Sequence, residues 1–203
     1  EGVLYYIFAY ILMNLGAFGC VSLISNSIKS DAIDDYAGLY KKDPVPAFML
    51  SVFLLSLAGV PPLAGFWSKD EIMGHAFVNH QFLFYGLAAI GAFLTSFYMF
   101  RLTYLTFYGA SRMDHHTEEH VHESPMVMVG PLMALGVLSV FGGLILGFPP
   151  EHGWLHGFLA PVAGVAGGHE TSVATTLLLM GTATGIAFVG WGLAHFLYSL
   201  SPA

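Results

Sequence analysis

The stretch Leu57-Ala58-Gly59-Val60-Pro61-Pro62-Leu63-Ala64-Gly65-Phe66-Trp67-Ser68-Lys69-Asp70-Glu71-Ile72 decides how this chain is read. It lies inside a long apolar region that begins near Val45, yet it carries two adjacent prolines between glycines and then three charged residues in a row. Two prolines remove two backbone donors, and the flanking glycines relax the chain. A helix crossing a bilayer is therefore expected to break here, at membrane depth, and to resume towards Met73. Broken helices are tolerated in lipid only where the freed backbone lines a cavity or is buried in protein. The break thus points to a functional interior rather than a passive anchor.

The rest of the chain supports a membrane setting. Of its 203 residues 56% are hydrophobic and 9% charged, against roughly a quarter charged in a soluble domain. Hydrocarbon about 30 Å thick needs about 20 apolar residues per helix, and such runs recur. The expected architecture is an all-α membrane protein of about five transmembrane helices in one unit over 1–203. Its spans are about 3–24, 45–78 (broken near 59–65), 82–108, 126–148 and 173–198. Gly16, Ala17 and Gly19 in the first span favour close approach of a neighbouring helix. Trp154, Leu155, Phe158 and Leu159 form a candidate interfacial helix. The net charge of -7 comes mainly from acids in connecting loops. Six basic residues in total exclude a nucleic-acid surface. The lone Cys20 excludes a disulfide framework or a cysteine metal site. The chain opens on Glu1 without a leader-like segment and has the look of part of something longer.

Basic residues gather on the cytoplasmic side of short loops. With the break counted inside one span, Lys29, Lys41, Lys42 and Arg112 share a side, and Arg101 can snorkel towards it. The amino end is then expected outside and the carboxyl end in the cytoplasm.

Ionisable groups within a span are costly and mark candidate ion paths. Lys69 is the leading one, because it follows the break and has Asp70 and Glu71 beside it, so it is placed to load and release a proton. The alternative is an interfacial helix start with Ser68 as N-cap and the two acids complementing the dipole. His75 and His80 are candidate relays or plain interfacial residues. Arg101 is an anchor among aromatics or a gating charge; Thr103, Tyr104 and Thr106 can hydrogen-bond water; His195 sits near a helix end. The loop Asp114-His115-His116-Thr117-Glu118-Glu119-His120-Val121-His122-Glu123 has metal-ligand spacings but no fixed scaffold, so no metal site is assigned. No nucleophile and base pair up, and no catalytic residue or redox-cofactor motif is assigned.

The quoted stretch resembles the broken helix of the large antiporter-like subunits of NADH:quinone oxidoreductase, complex I, which are related to Mrp-type cation/proton antiporters. The similarity continues through Thr95-Ser96-Phe97-Tyr98-Met99-Phe100-Arg101, His122-Glu123-Ser124-Pro125 and Pro131-Leu132-Met133-Ala134-Leu135, all like chain L. Tyr6-Ile7-Phe8-Ala9-Tyr10-Ile11-Leu12-Met13-Asn14-Leu15-Gly16-Ala17-Phe18 and Asp35-Tyr36-Ala37-Gly38-Leu39 are more similar to chain N. The chain thus looks N-like to about residue 56 and L-like over about 57–198.

That resemblance implies part of an inverted-repeat antiporter fold, with three helices of one repeat followed by two more. It implies that Lys69 ends a line of lysines and a glutamate across the midplane; Asp70, Glu71 and His75, read from their place beside it, are the further proton-path candidates. Gly59, Pro61, Pro62 and Gly65 would form the helix break. The histidines of an L-type helix before the break are replaced here by a first span holding Asn14. The implied function is proton translocation coupled to NADH oxidation and quinone reduction, in the inner (plasma) membrane of a bacterium. Its partners would be the other membrane subunits of complex I and the lipid bilayer. This chain would bind no cofactor itself, with NADH, FMN, Fe-S clusters and quinone held by partner subunits. The rival readings are an Mrp-type sodium/proton antiporter subunit and a non-pumping structural fragment.

Overall fold

A computed structural model describes residues 2–41, 43–107, 124–147, 158 and 172–198. Among these the chain is helical, with no strand. The helices are α1 (Gly2–Ile28), α2 (Pro44–Ala58), α3 (Ala64–Val78), α4 (Phe82–Phe107), α5 (Met126–Gly147) and α6 (Val173–Tyr198). Two short 3-10 turns, Ile33–Tyr36 and Leu39–Lys41, lie between α1 and α2. Four helices are long and apolar enough to cross a membrane, namely α1, α4, α5 and α6, and Pro44–Ala58 is a shorter apolar one. The protein is a multi-pass membrane protein.

The second span is two helices of 15 residues each. Each is about 22 Å long at 1.5 Å per residue, too short to cross about 30 Å of hydrocarbon alone. End to end, with a short gap, they cross it once. The gap is narrower than the sequence suggests: α3 already begins at Ala64, so Gly65 lies in its first turn rather than in the break. The first span also runs on to Ile28, because Ser25 O still accepts a helical hydrogen bond from Lys29 N before the chain turns at Lys29, φ 58°.

Burial is one-sided because only one face of each outer helix meets protein. α1, α2, α3 and α5 pack together, while α4 packs most extensively on α6 and also against α2 and α3. Phe53, fully buried, lays its ring against Gly16, where a Cβ would stand 2.2 Å from ring carbons. Leu132 likewise fills the space over Gly19. Lipid tails are as apolar as leucine, so such close packing, not exclusion from water, holds these helices together.

Hydrogen bonds also mark the two ends of the bundle. Tyr5 donates to Gly143 O at 2.8 Å, joining the start of α1 to the end of α5. At the opposite end Ser124 donates to the buried Asp43 at 2.7 Å, and Tyr36 donates to Val21 O. The His-rich stretch 114–123, the basic residues Lys42 and Arg112, and the interfacial segment around Trp154 lie outside the described residues. Phe158 of that segment is described and is exposed.

Candidate functional site

The site begins at the C-terminus of α2, where the last carbonyls have no helical partner. Gly59 takes the left-handed conformation, φ 83°. Its N–H reaches Ser56 O at 3.0 Å and Val60 N–H reaches Leu55 O at 3.2 Å. This is a Schellman closure, which satisfies the fourth- and third-last carbonyls of the helix, those of Leu55 and Ser56, and leaves those of Leu57 and Ala58. The Lys69 ammonium fills the first of these places: Nζ donates to Leu57 O at 2.6 Å. A cation at the negative end of a half-helix is electrostatically favoured.

Lys69 reaches that carbonyl because α3 starts hard against α2. A Cβ on Gly65 would lie 1.8 Å from Ser56 O, and Gly65 N–H donates to Ser56 Oγ at 3.3 Å. Ser56 in turn donates to the Met13 sulfur at 2.8 Å, so α1 holds the same corner. Trp67 Nε1 donates to Pro62 O at 2.8 Å and ties the gap to the first turn of α3. Pro61 and Pro62, joined by a cis bond, occupy the gap itself. The position that caps α3 is Leu63, with no side-chain cap bond. Ser68 is therefore not an N-cap. It is fully buried within the helix and donates to Gly65 O at 3.4 Å, and Lys69, Asp70 and Glu71 belong to the second turn.

Lys69 lies between two openings. The larger is a cavity of about 190 Å³ lined by Tyr6, Tyr10, Asn14, Leu57, Lys69, Thr95, Tyr98 and Met99. It has room and polar partners for several water molecules. The smaller, about 10 Å³, is bounded by Ala58, Gly59, Phe66, Lys69, Met73, Ala92, Ala183 and Ala187, a nearly apolar set. One side of the ammonium thus faces a roomy, hydroxyl-rich space, and the other is walled by alanines.

The other candidates are distributed differently. Asp70 Oδ1 is buried with no hydrogen-bond partner. Glu71 approaches His75 at 4.0 Å, on the more open side of α3, where the His75 side chain is 56% exposed. Asp70, Glu71 and His75 line neither cavity, so the structure brings Lys69 alone of the four to the polar chamber. His80 follows the end of α3 at φ 56° and meets the edge of Phe82. Thr103 donates to Met99 O, and Thr106 Oγ1 is buried without a partner. Arg101 lies over the Tyr198 ring, and Tyr104 pairs with His195 and Trp191. No group of three or more His, Cys, Asp or Glu gathers into a metal-binding set among the described residues.

Sequence reasoning missed the chamber's other walls. Tyr6, Tyr10 and Asn14 recur every four residues and so share a face of α1. Thr95 and Tyr98, three apart, do the same on α4. The spacing was a usable signal, although nothing in it told which neighbour that face meets.

Residues 1–95 match the family model described as "NADH:quinone oxidoreductase/Mrp antiporter, TM". The chain is 37% identical over 197 residues to NAD(P)H-quinone oxidoreductase chain 5 of Picosynechococcus sp., an alignment covering 85% of this chain and 29% of that protein. It is 40% identical over 152 residues to NADH-quinone oxidoreductase subunit L of Rhodobacter capsulatus, covering 69% and 20%. To NADH-quinone oxidoreductase subunit N of Desulforamulus reducens it is 34% identical over 166 residues, covering 82% and 32%. The chain spans about a third or less of the length of these curated relatives.

Proposed function

The chain belongs to the antiporter-like family of NADH:quinone oxidoreductase membrane subunits, and from that premise we propose that it is a proton-translocating part of one such subunit, with Lys69 as the group that gains and loses the proton. It acts within an oxidoreductase translocase and has no redox site of its own. NADH, FMN, Fe-S clusters and quinone are held by partner subunits, and its direct neighbours are other membrane subunits and lipid. The setting is a bacterial inner membrane, with the amino end outside and the carboxyl end cytoplasmic.

One observation carries the reading: the Lys69 ammonium is tied to Leu57 O at 2.6 Å while it borders a cavity walled by Tyr6, Tyr10, Asn14, Thr95 and Tyr98. An ammonium has three N–H donors, so it can hold the carbonyl with one and give another proton to water in the chamber. The neutral amine that results accepts a proton on its lone pair and returns to the starting state. A lysine fits this exchange where arginine does not, since arginine stays charged. Asp70, with its buried unpartnered oxygen one residue away, adds a second ionisable group to the same turn of α3. Glu71 and His75 provide an exchange point on the open side of α3.

The test places the complex containing this subunit in sealed vesicles and compares NADH-driven proton uptake for the parent and Lys69→Ala. Most of the uptake is expected to be lost while the complex assembles and still oxidises NADH. Unchanged uptake would assign Lys69 to capping α2 and leave the chain a structural role. Uptake that depends on sodium, without an NADH requirement, would favour an Mrp-type antiporter subunit instead.

A further inference from the structure

A second cluster of polar groups lies away from Lys69, at the end of the α4–α6 seam that carries Phe107 and Tyr198. Arg101 is exposed on a helix that is otherwise apolar or hydroxyl-bearing, and its guanidinium sits 5.5 Å above the centre of the Tyr198 ring. Among the described residues it makes no ion pair. Three residues on, Tyr104 OH lies 3.0 Å from His195 Nδ1, and Trp191 Nε1 lies 3.0 Å from the same hydroxyl. An indole can only donate, so the Tyr104 oxygen accepts from Trp191, and Tyr104 and His195 Nδ1 share a second hydrogen bond. The imidazole is held from two sides. The Trp191 and His195 rings are stacked, with centroids 5.7 Å apart, which holds that plane in place.

We infer that this seam binds the phosphate of an anionic phospholipid, with Arg101 as its cationic donor and Trp191, His195, Tyr104 and Tyr198 as the aromatic frame around the headgroup, glycerol and upper acyl chains. The charge is complementary: an exposed guanidinium with no carboxylate partner among the described residues stands over an aromatic ring at the end of the seam. The depth is right too, since Arg101 and His195 lie within the last two turns of their helices, where Trp and Tyr collect at the membrane–water boundary. Basic pockets between helices at the cytoplasmic surface are a recognised setting for anionic headgroups. The site does not depend on the role given to Lys69, since the two share no residue.

The complex is reconstituted in nanodiscs of phosphatidylcholine with and without phosphatidylglycerol, and the lipid retained after detergent exchange is counted by native mass spectrometry alongside the unfolding temperature. Phosphatidylglycerol is expected to be retained and to raise that temperature. Arg101→Gln should lower retention about fivefold, the loss of one cation near the surface, and Arg101→Lys should restore part of it. His195→Ala, which keeps Arg101, should weaken retention as well. Equal retention in parent and Arg101→Gln would overturn the proposal. So would the same stabilisation from inorganic phosphate in phosphatidylcholine discs, which would make the seam a free-anion site. A loss of assembly in Arg101→Gln that is identical in both lipids would assign the residue to a contact with a neighbouring subunit instead.

Discussion

Gly59 and Gly65 lie close together in sequence and meet opposite constraints. Gly59 is held at φ 83°, but the nearest atom to a Cβ there is a flexible one, Lys69 Cδ at 3.4 Å. Gly59→Ala therefore incurs mainly the left-handed backbone cost, about 1–2 kcal/mol. Gly65 has ordinary helical geometry, and alanine there would by itself favour the helix. Its Cβ, however, would meet the backbone oxygen of Ser56 at 1.8 Å, an atom that cannot swing aside. Gly65→Ala should destabilise by more than about 3 kcal/mol, at the upper end for overpacking, because the two half-helices must part. Thermal unfolding of the purified subunit or complex should rank the two in that order, and equal effects would mean the corner is less tight than the structure has it. Lys69→Arg makes a different distinction at the same place. Its guanidinium can still cap Leu57 O, so assembly should survive, but it does not release a proton at working pH, and proton uptake should fail as in Lys69→Ala.

At the scale of elements, α1 presents two polar faces with different tasks. Tyr5 is 2% exposed and spends its hydroxyl on Gly143 O, whereas Tyr6, Tyr10 and Asn14 open onto the chamber beside Lys69. Tyr5→Phe leaves a buried carbonyl short of one donor and should reduce stability by about 1 kcal/mol with little effect on proton uptake per assembled complex. The triple change Tyr6→Phe, Tyr10→Phe, Asn14→Leu should do the reverse, slowing uptake while the bundle still unfolds at close to the parent temperature. If both variants affect uptake alike, the chamber is not the wet side of the path. The break between α2 and α3 was readable in the sequence because proline removes a donor wherever it stands, and the long apolar helices because hydrocarbon thickness dictates their length. Gly65 was misplaced in the gap because its need for a missing Cβ comes from Ser56, nine residues earlier, and no local rule reports that. Ser68 resembled a cap for a similar reason: the helix start at Ala64 carries no side-chain cap to announce it. The bond from Lys69 to Leu57 O was also out of reach, since it depends on which carbonyls the Gly59 turn leaves over.

For the whole molecule, the two ends of the bundle decide which way the site faces. Taking α2 and α3 as one crossing, the five described crossings place Gly2 and Tyr198 at opposite ends. The end that holds Ser124 and Asp43 also carries Lys29 and Lys41, while Asn79-His80-Gln81 at the other end has no Lys or Arg. Positive charge is retained in the cytoplasm, so the first end should face inward and α3 should run from mid-membrane to the outer surface. Lys69, near the inner start of α3, would then release its proton into the outer half of the bundle. The arrangement is open to direct measurement because the chain has one cysteine, Cys20, which is buried. In a Cys20→Ser background, Gln81→Cys should react with a membrane-impermeant maleimide on intact cells, and Ala32→Cys should react only after permeabilisation; both positions are exposed in the bundle. The opposite pattern would invert the protein, move the amino end to the cytoplasm, and turn the Lys69 half-channel into the route by which protons are taken up rather than let out.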